Sequence, residues 1–279
     1  MNNKPNIELP DGYVDFYKQV ETWQNEVFFR LKKGHNPENI SAIQLLNEHN
    51  QPILSVMSME IDADLYKGAF LEFARLVKNE RGQAGEKIDR IIADLDNVDF
   101  TDLAQKIINN ETDHFAKLAE QAELSTDLVW FMLDHSLRPF LRHFALPYQE
   151  SLKGDDLVWA HGVCPICGSQ AHYSRIRAED GRRFLFCEHC FTEWEHMYLS
   201  CIYCGNTEPK TVRYFVIEGD DANQVFVCDK CRGYLKTFDE RKGSSKVDMF
   251  IAGIETVHLD LIAEEEGYSN KVSIERDFN

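Results

Sequence analysis

Eight cysteines lie between positions 164 and 231 of this 279-residue chain, and each belongs to a pair with two residues between its members. The pairs are Cys164/Cys167, Cys187/Cys190, Cys201/Cys204 and Cys228/Cys231. Between the first two pairs, HYSRIRAEDGRRFLFC carries an Asp180-Gly181 turn signal with β-prone residues on both sides. Between the last two, TVRYFVIEGDDANQVFVC repeats that plan of apolar run, turn cluster and apolar run. The sequence therefore predicts an internal repeat whose unit is knuckle, hairpin, knuckle. CIYCGN, opening the second unit, echoes CPICGS, opening the first.

Three chemistries use paired cysteines. A disulfide framework suits secreted domains, and MNNKPNIELP at the start has no apolar core of a signal peptide. No run of about 18 apolar residues appears either, so the expectation is a soluble cytoplasmic protein without membrane insertion, its thiols reduced. A thioredoxin-like redox motif needs one CxxC at a strand-to-helix junction, whereas here four flank hairpins. Metal binding remains: a CxxC turn sets two thiolates on one side, and two facing turns make a tetrahedron of sulfurs. Nineteen residues separate the inner cysteines of the first two pairs and 23 those of the last two. The repeat assigns Cys164, Cys167, Cys187 and Cys190 to one site and Cys201, Cys204, Cys228 and Cys231 to another. A cross-braced pairing would ignore the hairpins that bring neighbours together. Gly168 and Gly205 follow the second cysteine of two knuckles, where positive φ is expected. Four thiolates suit zinc or a single iron. Zinc would be a structural staple worth about 10–16 kcal/mol at neutral pH; iron of the rubredoxin type would be able to change oxidation state. A closed shell of four sulfurs has no open position for metal-centred hydrolysis.

The first half reads as helices. Tyr13, Phe16, Tyr17, Val20, Trp23, Val27, Phe28 and Leu31 form one stripe; Leu65, Ala69, Phe70, Phe73, Leu76 and Val77 form another. Weaker patterns cover Ile88–Leu95 and Leu103–Ile108, and an apolar segment opens after Ser125. Pro139 is expected to end one helix and start another, capped by Ser136. After the knuckles, Val247 to Leu261 has helical spacing, with Ser244 or Ser245 as cap and Gly267 as stop. The fold class predicted is α+β: a helical bundle domain at 1–155, knuckle-hairpin modules at 156–199 and 200–242, and a C-terminal helix and tail at 243–279.

The charge balance restricts partners. Lys and Arg number 30 against 47 Asp and Glu, a net charge of −17, and residues 1–150 and 151–279 are both acidic. A protein that grips nucleic acid needs a basic footprint. Arg175, Arg177, Arg182 and Arg183 do cluster on one hairpin, which keeps a nucleic-acid-binding zinc ribbon as the alternative function; their simpler reading is a solvated hairpin face. A thiol oxidoreductase would require at least one metal-free CxxC. His161, His172, His189 and His196 lie near the knuckles and are expected beside the sites or on the surface, since no cysteine ligand is missing. Trp194 and Tyr234 are expected to pack under the knuckles. The sequence offers no catalytic triad, phosphate-cradling glycine loop or HExxH helix.

The same residues resemble the formate dehydrogenase accessory protein family, FdhE. WAHGVCPICGS from Trp159 is similar to its approach to the first knuckle; Gly181, Arg183, Leu185 and Cys187 to its approach to the second. Thr192-Glu193-Trp194 matches its TEW, CDKCRGYLK from Cys228 its fourth knuckle, and Thr256, Leu259, Asp260, Ala263, Gly267 and Tyr268 its closing helix. Over the helical half the resemblance rests on length, helicity and the segment around Pro139. Tyr198 stands where the family pattern has a basic residue, and the second knuckle reads CEHC. The resemblance implies a helical domain joined to two rubredoxin-like modules that carry iron. It further implies a non-enzymatic cytoplasmic factor that binds the catalytic subunit of formate dehydrogenase and supports its maturation.

Overall fold

The computed structural model describes residues 9–34, 41–80, 85–95, 98–109, 111–153, 159–243 and 247–271. Helices α1 (Tyr13–Gly34), α2 (Ala42–His49), α3 (Ile53–Val56), α4 (Ala63–Glu80), α5 (Gly85–Asp94), α6 (Phe100–Ile108), α7 (Thr112–Ala122) and α8 (Thr126–Gln149) precede strands β1 (Tyr173–Ile176), β2 (Arg183–Phe186), β3 (Glu193–His196), β4 (Val212–Ile217), β5 (Asp220–Cys228) and β6 (Tyr234–Asp239). Helices α9 (Met249–Glu255) and α10 (Val257–Glu265) follow. This is the predicted order of helices, hairpin strands and closing helix. Two compact units are present: residues 18–36 with 59–144, and residues 1–17 with 37–58 and 145–279. Among the described residues no helix is long and apolar enough to cross a membrane.

The first of these units is helical. Its core takes the stripes expected of it: Trp23 stacks on Phe73 at 4.7 Å between ring centres, and Phe70, Phe73, Val77, Ile88 and Leu103 are fully buried. One expectation fails. Pro139 does not divide α8, which runs through it without a break. A proline there leaves the carbonyl four residues earlier without its helical donor. That carbonyl belongs to His135, and the side chain of Gln24 donates to it at 3.1 Å. Ser136 caps nothing; its hydroxyl donates to the carbonyl of Leu133.

The second unit is built on one six-stranded sheet in the order β3-β2-β1-β6-β5-β4. Each sequence repeat makes its own antiparallel ladder. A parallel pairing of β1 with β6, Tyr173 opposite Lys236 and Ile176 opposite Asp239, joins them. The buried hydroxyls of Ser174 and Thr237 meet across that seam at 2.7 Å. The C-terminal pattern folds as two helices where one was expected. Asp248 caps α9 by accepting from the N–H groups of Phe250 and Ile251; Ser244 and Ser245, the expected caps, lie outside the described residues. Side-chain donors divide the segment: the Thr256 hydroxyl takes the carbonyl of Ala252, and Lys236 Nζ takes that of Gly253. Helix α9 packs Met249, Phe250 and Ile251 with Tyr173 and Phe186, while Leu259 and Ala263 of α10 pack with Val225, Val227 and Tyr234.

Candidate metal centres

All four knuckles share one backbone design. The N–H of the first cysteine donates to the carbonyl five residues on: Ser169, Thr192, Asn206 and Gly233 for Cys164, Cys187, Cys201 and Cys228. The residue after the second cysteine donates back to the first cysteine's carbonyl and has a left-handed φ. Glycine fills that position twice, as expected, with φ +79° at Gly168 and +66° at Gly205. Phe191 (φ +56°) and Arg232 (φ +62°) fill it in the other two knuckles, which the sequence did not foretell. An L side chain pays about 1–2 kcal/mol for this conformation, so something must hold it. Phe191 stacks against Phe250 at 5.7 Å and touches Phe186. Arg232 donates to the carbonyls of Glu266 and Gly267 and lies 3.9 Å from the ring centre of Tyr268.

These turns bring the eight sulfurs into two groups of four: Cys164, Cys167, Cys187, Cys190 and Cys201, Cys204, Cys228, Cys231. Within each group the sulfurs lie within 4.8 Å of one another. Sγ–Sγ separations are 3.4 Å for Cys164–Cys190, Cys167–Cys187 and Cys201–Cys231, and 3.7 Å for Cys204–Cys228. A disulfide would need about 2.05 Å. Four sulfurs about 2.3 Å from a central zinc form a tetrahedron with edges of about 3.8 Å. The residues therefore fit a tetrahedral thiophilic ion, and the grouping is the one the repeat predicts.

The thiols are tuned by burial and by one another. Burial pushes Cys164 and Cys187 up, whereas hydrogen bonding with Cys164, Cys187 and Cys190 holds Cys167 down. In the second group burial raises Cys201, and raises Cys231 to about 11. Burial also works on Cys228, but the N–H of Cys231 and the Asn206 amide outweigh it and bring that thiol to about 7. Four thiolates at these distances repel, and a cation is what allows them to ionise together.

Neighbouring side chains complete each group. Ser169 Oγ lies 3.3 Å from Cys167 Sγ and 3.1 Å from His189 Nδ1, which puts His189 beside the sulfurs as expected and not among them. Thr192 Oγ1 is 3.2 Å from Cys190 Sγ, and Asn206 Nδ2 is 3.5 Å from Cys228 Sγ. The groups differ in cover: three of the first four cysteines are buried, against two of the second four.

Helix α3 braces the first knuckle. The N–H groups of Ile53 and Leu54 donate to the carbonyls of Pro165 and Ile166 at 2.9 and 2.8 Å. Gln149 adds a bond to the carbonyl of Cys190. No motif near residues 52–54 announces this role. The two groups also meet closely: a Cβ on Gly162 would overlap the carbonyl of Ile202, inside the third knuckle.

The hairpin arginines do not all share a solvated face. Arg183 is buried; its Nη2 donates to the carbonyls of Met197 and Ser200 at 2.7 and 2.9 Å and sits 3.0 Å from His196 Nδ1. It thereby holds the connector between the groups. Arg175 pairs with Glu193 and Glu240, Arg177 with Asp180, and Arg182 with Asp180 and Glu195. Trp194 is buried, as expected, with its indole N–H on the carbonyl of His161. Tyr234, also buried, donates to Asp260.

With this geometry in hand, comparison with known proteins places the cysteine half. Residues 163–198 match the family model for the FdhE central domain and residues 199–274 that for the FdhE C-terminal domain. A "Protein FdhE homolog" of Aquifex aeolicus is 35% identical over 158 residues, 56% of this chain and 53% of that protein. Another, from Rhizobium meliloti, is 31% identical over 113 residues, 38% of this chain and 36% of that protein. The matches thus span about half of the first relative's length and about a third of the second's. The crystal structure of the FdhE protein from Pseudomonas aeruginosa superposes over 97% of this chain and 96% of its own, with a TM-score of 0.56 at 18% identity, a likeness of fold.

Proposed function

We propose, from the premise that residues 163–274 carry the central and C-terminal domains of the FdhE family, that this protein is an accessory factor for formate dehydrogenase. It binds the catalytic subunit in the cytoplasm and supports its maturation to the active enzyme, without itself oxidising formate. The observation that carries this reading is the pair of four-sulfur groups at tetrahedral spacing, each on its own hairpin repeat.

Cys164, Cys167, Cys187 and Cys190 hold one ion, and Cys201, Cys204, Cys228 and Cys231 the other. When bound, an ion of this kind supplies folding free energy and, if it is iron, one-electron chemistry. The residues then act by shape. The knuckle backbones fix the sulfurs, Arg183 fixes the connector, and the sheet presents both groups on one frame. A closed four-sulfur shell leaves no position for a substrate oxygen, which favours a binding role over hydrolysis. The acidic chain suits a partner with a basic patch. Pairing of Arg175, Arg177 and Arg182 with carboxylates removes the basic footprint that the nucleic-acid alternative needs.

The test is co-purification with the formate dehydrogenase catalytic subunit of the same organism, together with enzyme activity in a deletion strain. Retention of the subunit at low salt and loss of activity on deletion are expected. Unchanged activity in the deletion strain would sink the proposal. Elemental analysis and an absorption spectrum of protein purified without oxygen distinguish iron from zinc.

A further inference from the structure

A cavity of about 310 Å³ lies in the sheet-containing unit, between the sheet and helices α9 and α10. It shares a wall with the first cysteine group, since Phe186 and Glu188, on either side of Cys187, both line it. The volume is at the lower end of the range for small-ligand sites, about 300–1,000 Å³. Its apolar lining includes Tyr173, Phe186, Met249 and Ile254.

Two of the polar side chains that line it have hydrogen-bonding capacity left over. Lys236 is 5% exposed; its Nζ donates to the carbonyl of Gly253 at 2.7 Å and to Asp260 at 2.6 Å. An ammonium has three N–H donors, so one remains for a group in the cavity that Lys236 lines. His172 also lines the cavity, and its Nδ1 is buried with no hydrogen-bond partner among the described residues. A buried polar atom left unpaired is destabilising, and a ligand in the cavity that His172 lines can satisfy it once the imidazole turns to meet it. The charges that line it balance in number: Lys236, which pairs with Asp260, and Lys271 stand against Asp260 and Glu188. An ion entering would lose its hydration and gain no net opposite charge.

One backbone feature points the same way. Gly253 lines the cavity from within α9, where glycine is less favourable than alanine. A Cβ there would meet only Tyr173, at 3.9 Å. Packing does not require glycine at this position; its effect is to keep the cavity open.

We propose that this cavity is a binding site for an uncharged amide carried on a compact apolar body. The amide oxygen accepts from Lys236 Nζ, the amide N–H meets His172 Nδ1, and the apolar body packs on Tyr173, Phe186 and Met249. The amide belongs either to a free small molecule or to a peptide segment. The site does not depend on the accessory role.

Calorimetric titration of the full chain with 2-phenylacetamide, N-acetyl-L-phenylalaninamide and phenylacetate tests this. At least one amide is expected to bind saturably and to move the imidazole ¹⁵N resonance of His172. Phenylacetate is expected to bind at least about tenfold more weakly. Gly253→Leu fills the cavity with a better helix former and is expected to abolish binding while keeping the fold; His172→Phe is a second variant expected to weaken it. Binding of phenylacetamide alone identifies a small-molecule source, and of the capped residue alone a peptide source; either supports the site. Absence of binding by both amides overturns it, as does unaltered affinity in Gly253→Leu or equal affinity for phenylacetate.

Discussion

Gln24 Nε2 donates to the main-chain carbonyl of His135 at 3.1 Å, in the buried interior of the helical unit. The pairing exists because Pro139, one turn later, has no N–H to give that carbonyl. A local motif that reads as a helix break is rescued by a side chain 111 residues away.

Replacing Gln24 by Met removes the donor and strands a buried carbonyl, at about 1–3 kcal/mol. Chemical denaturation should show that loss. In a Pro139→Ala background the restored N–H serves the His135 carbonyl, so the cost of Gln24→Met should fall. Equal costs in both backgrounds would show that the two residues are not linked in this way.

Gly162→Ala forces a methyl group onto the carbonyl of Ile202, so the first and third knuckles must separate. Overpacking of this kind costs about 1–3 kcal/mol. The variant should melt earlier and bind metal less tightly, whereas Gly68→Ala, inside α4 where a Cβ meets nothing within 4 Å, should melt no earlier than the parent and leave metal affinity unchanged.

The two cysteine groups should lose metal in order. Cys204 and Cys231 are only half-buried, whereas in the first group Cys167 alone is. A chelator is therefore expected to empty the second group first, giving a biphasic release. Cys228→Ser should remove the fast phase with one equivalent of metal; Cys187→Ser should remove the slow one. Release in one phase would contradict the difference in cover.

His196 provides a pH dependence. Burial, then the charge of Arg183, lowers it from 6.5 to about 4. Unfolded, this imidazole takes a proton below about 6.5, while the folded protein refuses it until about pH 4, so the unfolded state binds more protons across that window. Stability contributed by His196 is full above about pH 6.5 and declines as pH falls toward 4, by up to about 3 kcal/mol. His196→Gln should flatten the stability curve between pH 4 and 6.5; an unchanged slope there would assign the dependence to other groups.

What was legible in the sequence follows from range. A CxxC turn sets two sulfurs within a few residues, and Asp180-Gly181 and the β-prone runs on each side bring the paired knuckles together locally. The grouping of eight sulfurs by fours needed no more than that, and the amphipathic stripes around Trp23 and Phe73 announced the helical half. Arg183 was misread for a physical reason. Arginine sits in water by default, and the carbonyls of Met197 and Ser200, presented after the strand by a turn of the chain, together with His196 Nδ1 give it reason to be buried.

The order of residues alone determined where helix gives way to hairpins, which thiols share a group and where Gly168 and Gly205 take a left-handed turn, because each is decided by steric and bonding rules acting within a few residues or one hairpin. Tertiary structure decided the rest. The parallel seam of β1 with β6, the left-handed Phe191 and Arg232, the brace of Ile53 and Leu54 on the first knuckle, and the cavity beneath Gly253 all depend on partners far away in the chain. Each stands only because the folded whole supplies a hydrogen bond or a packing surface to offset what the local conformation costs.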